Sequence, residues 1–282
     1  MNPPIWKLRE WINNSINSNF THRLDKTQIS SNPRAIKYLN ENKKRIDWNS
    51  LSSNENAMEL LMENQNKINW ESLSSNKNPE AIKLLKSNKS KIDWSRLSAN
   101  ESAIEILEDN IDKIDWVTLS GNKNAIKILE ENRDKIDWSR LSGNCNAIDL
   151  LMKNEKYIDF SYFSSNSNYK AINYLKKHPS KINWKYLCLN ENIDAIEMLK
   201  KNQDKIDWFF LSINPSAYEL LYSNQNKIIW FLFQFNPCIF ELDYKEMRIA
   251  NEKFEEELIM EVMKPSRVFK NRDYDYIEEL FD

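Results

Sequence analysis

The sequence predicts an all-α solenoid of about ten two-helix repeats, each a short α or 3-10 element followed by a longer α-helix, with helical end caps. Three observations carry that reading. A tryptophan motif returns at a nearly constant period, and the second half of each period has helical apolar spacing. Asparagine marks both ends of that helix, in a chain of 282 residues with 38 asparagines and two glycines. The motif tryptophans are Trp48, Trp70, Trp94, Trp116, Trp138, Trp184, Trp208 and Trp230, with Phe160 in the same slot, at intervals of 22, 24, 22, 22, 22, 24, 24 and 22 residues. A degenerate first copy puts Lys26 there, and ten copies cover residues 24–242. Each reads Ile-(Asp/Asn)-Trp-x-x-Leu-Ser-x-Asn-x-x-Ala-Ile-x-Leu-Leu-x-x-Asn-x-x-Lys.

The first element starts at the acid or amide before the tryptophan. Asp93, for example, can cap a turn or two whose inward side chains are Trp94 and Leu97. The second element has apolar residues at i, i+1, i+3 and i+4, as in Ala125, Ile126, Ile128 and Leu129. An asparagine stands three residues before the alanine slot, at Asn32, Asn54, Asn78, Asn100, Asn122, Asn144, Asn168, Asn192, Asn214 and Asn236, which is the expected N-cap. Proline follows it at Pro33, Pro79, Pro215 and Pro237, as helix N-termini allow. A second asparagine, from Asn42 to Asn224 and replaced once by His178, is the expected stop. Its left-handed tolerance would stand in for the missing glycine. The two-residue insertions, bracketed by Asn76 and Asn78, Asn166 and Asn168, and Asn190 and Asn192, all fall between the two elements. They therefore leave both elements in register.

Neither element buries its apolar face alone, so the copies must stack, and at ~8–10 Å per packed helix ten of them would make a rod or arc on the order of 80–100 Å long. An open stack exposes a core at each end. Residues 1–23, with an amphipathic helix over 4–12 (Ile5, Trp6, Leu8, Trp11, Ile12), are expected to cap one end. Residues 243–282, with a helix over 244–263 covering Phe209, Phe210, Phe231, Leu232 and Phe233, are expected to cap the other. The last forty residues carry 12 acids against 7 bases, so the tail reads as a cap element or as an acidic–aromatic ligand. Two charge ladders run along the repeats. Lys37, Glu59, Lys83, Glu105, Lys127 and Asp149 alternate in sign from copy to copy, which supports register by pairing neighbours. Arg45, Lys67, Lys91, Lys113, Lys135, Lys181, Lys205 and Lys227, interrupted by Tyr157, precede the core isoleucine.

Composition narrows the function classes. Lys+Arg 40 against Asp+Glu 42 gives a net charge of -2, with no strong field for nucleic acid or anionic lipid. Two glycines, Gly121 and Gly143, exclude glycine-rich phosphate loops. His22 and His178, with Cys145, Cys188 and Cys238 spaced singly, supply neither a zinc cluster nor a disulfide framework, and unpaired thiols point to a reducing compartment. No stretch is long and apolar enough to span a membrane, and the N-terminus lacks a signal-peptide pattern. No catalytic constellation stands out: His178 sits in a helix-stop slot and each cysteine in a slot for a small residue. We expect no catalytic, metal or cofactor site.

The repeated string, as in Lys135-Ile-Asp-Trp138-Ser-Arg-Leu-Ser-Gly-Asn144, resembles the short-repeat proteins of nucleocytoplasmic large DNA viruses, the giant viruses of algae and amoebae. The resemblance covers about four-fifths of the chain, and the flanks Trp6-Lys-Leu-Arg-Glu-Trp-Ile12 and Met263-Lys-Pro-Ser-Arg267 look like that family's too. It implies a helical-repeat protein, often labelled ankyrin-like, of the infected cell's cytoplasm, the virus factory or the virion. The repeat is shorter than ankyrin and lacks the Thr-Pro-Leu-His signature.

Solenoids bind partners along one extended surface, and the variable residues after the tryptophan would set specificity. Ser161-Tyr162, Lys185-Tyr186 and Phe209-Phe210 are the most aromatic such pairs. The expected partner is therefore a protein docked at repeats seven to nine through Tyr162, Lys185, Tyr186, Phe209 and Phe210. The competing expectation is a nucleic acid following the lysine ladder, although an acid lies two residues beyond the ladder position in six of nine copies. A minor structural role in the virion is a further alternative.

Overall fold

The computed structural model describes residues 4–14 and 24–262, in two compact bodies, Leu8–Phe240 and the combination of Met1–Lys7 with Glu241–Asp282. The larger body is an all-α solenoid, as the periodicity predicts. Repeat five shows the plan. Asp115 caps the helix Trp116–Ser120 by accepting the Thr118 N–H at 3.1 Å, and Leu119 and Ser120 are buried. The second helix, Ile126–Glu131, buries Ile128 and Leu129. A 3-10 turn, Arg133–Lys135, then leads to the next repeat. In the three repeats with insertions the second helix lengthens to nine residues (Pro79–Ser87, Tyr169–Lys177, Ile193–Lys201), capped by Asn78, Asn168 and Asn192.

The stop asparagines differ from the expectation. Asn64, Asn88 and Asn132 have φ of -132°, -130° and -130°, not the left-handed conformation. Their side chains do the terminating instead. Asn64 Nδ2 donates to Leu60 O at 2.9 Å and Asn132 Nδ2 to Ile128 O at 2.8 Å, four residues back, in place of the next helical N–H. His178 Nδ1 lies 2.9 Å from Tyr174 O, so this histidine fills the slot by making the same contact.

The other asparagine set departs from the expectation too: in the shorter repeats the second helix starts after the alanine without a side-chain cap, and the asparagine three residues before that alanine serves the turn or 3-10 segment between them. The asparagine six residues after each tryptophan slot is at most 2% exposed, and its Nδ2 donates to two backbone carbonyls of the preceding repeat. Asn122 reaches Ser98 O at 2.9 Å and Asn100 O at 3.2 Å. Its Oδ1 meanwhile accepts the Asn124 N–H at 3.0 Å. In the longer repeats this residue is Asn76, Asn166 or Asn190, so ladder and helix cap have separated there. A second ladder runs beside it: the residue before the tryptophan donates its N–H to the serine hydroxyl of the preceding repeat, as Asp137 does to Ser120 at 2.9 Å.

Both ladders close on themselves. Asn32 of repeat one donates to Gln234 O at 3.0 Å and Asn236 O at 3.2 Å, both in repeat ten, as every other ladder asparagine does to its predecessor. Asp25 N–H finds Gln234 Oε1, at 2.6 Å, where a serine hydroxyl serves elsewhere. Arg34 Nη1 reaches Pro237 O at 3.1 Å, the counterpart of the bond from Asn56 Nδ2 to Pro33 O at 2.9 Å. The repeat body is therefore a ring rather than an open rod with two ends. Closure removes the exposed terminal cores that an open solenoid must cap.

The N-terminal segment completes that ring. Repeat ten lacks its own second helix, for the chain leaves through Pro237–Ile239 into a short strand, Phe240–Leu242. In its place lies the helix Glu10–Asn14. Trp11 packs on Trp230 and Phe233, at 6.1 Å to each, as Tyr174 of repeat seven packs on Phe160 and Phe163 at 6.0 and 5.8 Å. Ile12 is fully buried, and Arg9 N–H donates to Ile239 O at 3.1 Å. The expected helix over 4–12 is thus a strand, Trp6–Leu8, followed by a helix that belongs to repeat ten.

Strands Trp6–Leu8 and Phe240–Leu242 form a two-stranded sheet, and the smaller body continues in the helix Tyr244–Val262. That helix exposes Tyr244, Ile249, Ile259 and Met260. The tail beyond 262, with Pro265 and the acidic–aromatic end, lies outside the described residues, as do His22 and the N-terminal loop around it.

Candidate interaction surface

Consecutive first helices pack side by side, as Lys26–Ser31 does on Trp48–Ser52, whereas consecutive second helices stand farther apart. In a closed ring the crowded layer has the smaller radius, so the first helices form the concave side. The side chains one, two and five residues after the tryptophan slot lie on the first-helix face turned away from the second helix. In repeats two to five those positions hold small or polar residues except Arg96 and Glu71, which pair at 2.8 Å, and the apolar Val117.

From repeat six onward the surface changes. Arg140 lies over the Tyr162 ring at 5.5 Å, Tyr162 packs against Tyr186 at 5.3 Å, and Tyr186 stacks on Phe210 at 6.2 Å. Phe209 meets Phe210 edge-on at 5.3 Å, and Lys185 lies over Phe210 at 4.9 Å. The five residues singled out from sequence thus form one continuous column. Phe209 is 52% exposed, and the same helix face of repeat ten carries Phe231 at 59% and Phe235 at 38%, two residues that sequence reasoning did not assign to the column. Their positions in the repeat, one and five after Trp230, were the available signal.

The lysine ladder has a different placement. Lys67 lies over Trp48 at 4.3 Å, Lys91 over Trp70 at 4.1 Å, Lys135 over Trp116 at 4.6 Å, Lys181 over Phe160 at 4.7 Å, Lys205 over Trp184 at 4.5 Å and Lys227 over Trp208 at 4.8 Å. Each of these six cations therefore covers the aromatic ring that began its repeat. Tyr157, which interrupts the ladder, stacks on Trp138 at 4.8 Å and does the same work without charge. Arg45 ends a repeat that has no tryptophan and donates to Leu24 O at 2.6 Å, while Lys113 pairs with Asp112 at 3.3 Å. The alternating ladder pairs between neighbours, though with shifted partners: Glu105 takes Lys86, Lys127 takes Glu108 and Asp149 takes Lys170.

Two of the three cysteines are buried. Burial pushes the Cys188 thiol up to about 11 and the Cys238 thiol up to about 12. The Asp115 carboxyl is held below its ordinary value, first by the Thr118 N–H and then by the Ser95 hydroxyl. Among the described residues no group of three His, Cys, Asp or Glu is placed to hold a metal ion, and no helix is long and apolar enough to cross a membrane. Fold and surface together define an α-helical repeat protein closed into a ring. No family model matches the chain, and neither does any curated protein or solved structure.

Proposed function

We propose that this protein is a non-enzymatic binding scaffold whose docking surface is the aromatic column of repeats seven to nine. The observation that supports the reading is the confinement of exposed aromatics to one arc of an otherwise polar concave face, since aromatic side chains on a rigid frame are the usual anchors of a protein interface. The resemblance to short-repeat proteins of large DNA viruses would place that partner in an infected cell.

The test is capture from infected-cell extract with tagged wild type and with Tyr186→Ser/Phe210→Ser, before and after nuclease. A protein retained by wild type after nuclease and lost from the variant is the expected result. Loss of every partner on nuclease treatment, with the aromatic variant behaving as wild type and Lys91→Glu/Lys113→Glu/Lys135→Glu capturing nothing, would put the lysine ladder and a nucleic acid in its place. Because Lys91 and Lys135 cover indoles, that triple variant must first show a cooperative thermal transition.

A further inference from the structure

The column's charge identifies the chemistry of what docks there. From repeat six to repeat ten, the positions one, two and five after the tryptophan slot contain two cations, Arg140 and Lys185, and no carboxylate. The helix caps Asp137, Asp159 and Asp207 accept backbone N–H groups, from Arg140 at 2.7 Å, Ser161 at 2.9 Å and Phe209 at 3.0 Å. Arg140 and Lys185 instead lie on aromatic faces, and no described carboxylate forms an ion pair with either. The contrast with repeat four is direct, since Arg96 occupies the slot of Arg140 and is bound by Glu71 at 2.8 Å and Asp93 at 3.6 Å. The aromatic arc is therefore a strip of rings carrying two cations that no described carboxylate pairs with.

We infer that the column takes an acidic linear peptide bearing aromatic or leucine side chains, its apolar groups on Tyr162, Tyr186, Phe210 and Phe231 and its carboxylates on Arg140 and Lys185. A carboxylate arriving at Arg140 meets a planar guanidinium already held by Tyr162, so less conformational freedom is lost on pairing. The inference rests on reading the column as a docking surface and adds its charge preference.

The probe is a labelled peptide of mixed Asp, Glu, Leu and Phe, titrated by fluorescence anisotropy into the full chain, beside a counterpart with Lys for every acid. The acidic peptide should bind saturably, weaken with added salt, and lose roughly tenfold in affinity against Arg140→Glu/Lys185→Glu, a variant of two exposed side chains that keeps its thermal midpoint. Equal or tighter binding of the lysine peptide, or no effect of the charge reversal, overturns the acidic assignment. If Tyr186→Ser/Phe210→Ser still abolishes binding in that case, the docking surface stands and only its charge preference fails. No binding by either peptide overturns the linear-peptide assignment. Self-association of wild type in sedimentation, relieved by Phe209→Ser/Phe231→Ser, would give the face to a second copy of the chain and overturn it as well.

Discussion

Asparagine serves three separate purposes in this chain, and each joins the amide to a different set of backbone groups. As a ladder residue it donates Nδ2 to two carbonyls of the preceding repeat and accepts with Oδ1. As a stop residue it donates to the carbonyl four residues back, and in the longer repeats a further asparagine caps the helix with Oδ1 while its Nδ2 donates to one carbonyl of the preceding repeat, as Asn78 does to Glu55 O at 2.8 Å. The ladder role is the demanding one because both carbonyls are buried. Asn122→Asp keeps the acceptor but sets a carboxylate against Ser98 O and Asn100 O, and we expect a loss of about 3 kcal/mol or more in urea unfolding. A loss below about 1 kcal/mol would mean that the ladder is not a stabilising element.

Cys188 occupies the slot of the ladder serines, and its thiol is raised to about 11 by burial. A raised folded pKa contributes stability that is complete below the ordinary value of 9.0 and is lost as pH rises toward about 11. Wild type should therefore lose roughly 1–3 kcal/mol more than Cys188→Ser between those two pH values. Parallel pH profiles of the two proteins would show that this thiol does not titrate in the fold.

At the scale of the element, most repeats are sealed by their last residue. A cation or an aromatic ring lies on the tryptophan that opened the repeat, so the slot selects for a flat or positively charged cover rather than for charge as such. Tyr157→Lys should accordingly change the thermal midpoint little, whereas Lys135→Ala should cost about 0.5–1 kcal/mol by exposing Trp116. If Lys135→Ala is neutral and Tyr157→Ala is too, the cover is ornamental. The helix stops follow the same economy, for in a chain with two glycines the asparagine amide itself satisfies the carbonyl that a left-handed residue would otherwise leave to the backbone.

For the whole molecule, closure is the dominant fact. In an open array the terminal repeats have one neighbour and fray first, whereas in the ring every repeat has two. Amide exchange in Lys26–Ser31 and Trp230–Phe233 should therefore be nearly as slow as in the middle repeats. Trp11→Ala removes the ring that fills repeat ten and should cost about 3–5 kcal/mol, with exchange at those two helices accelerating before the rest. Uniform acceleration around the body, or fast exchange at both helices in wild type, would contradict closure by the N-terminal segment.

Much of this architecture is legible in one sequence because it is local and repeated. The number of repeats, their two-helix plan, the caps of the first helices and the pairs Ser161-Tyr162, Lys185-Tyr186 and Phe209-Phe210 follow from spacing, which depends only on how the chain turns within some twenty residues. Closure is not local. Asn32 bonds Asn236 across more than two hundred residues, with the same groups and distances that join any two adjacent repeats, so nothing in either residue marks the seam. One trace was available. Leu8-Arg9-Glu10-Trp11-Ile12 has the spacing of the Ala-Ile-x-Leu-Leu segment that repeat ten lacks, but read alone it is an ordinary amphipathic stretch. The stop geometry and the lysine covers were hidden for the same reason, since a side chain's partner depends on where the backbone places it. Sequence by itself determined the repeat, because its period is set by short-range helix geometry. Only the tertiary structure decided that the curvature accumulated over ten repeats returns the last to the first, making residues 8–14 part of the seam rather than a cap and setting the aromatic column on the concave face of a ring.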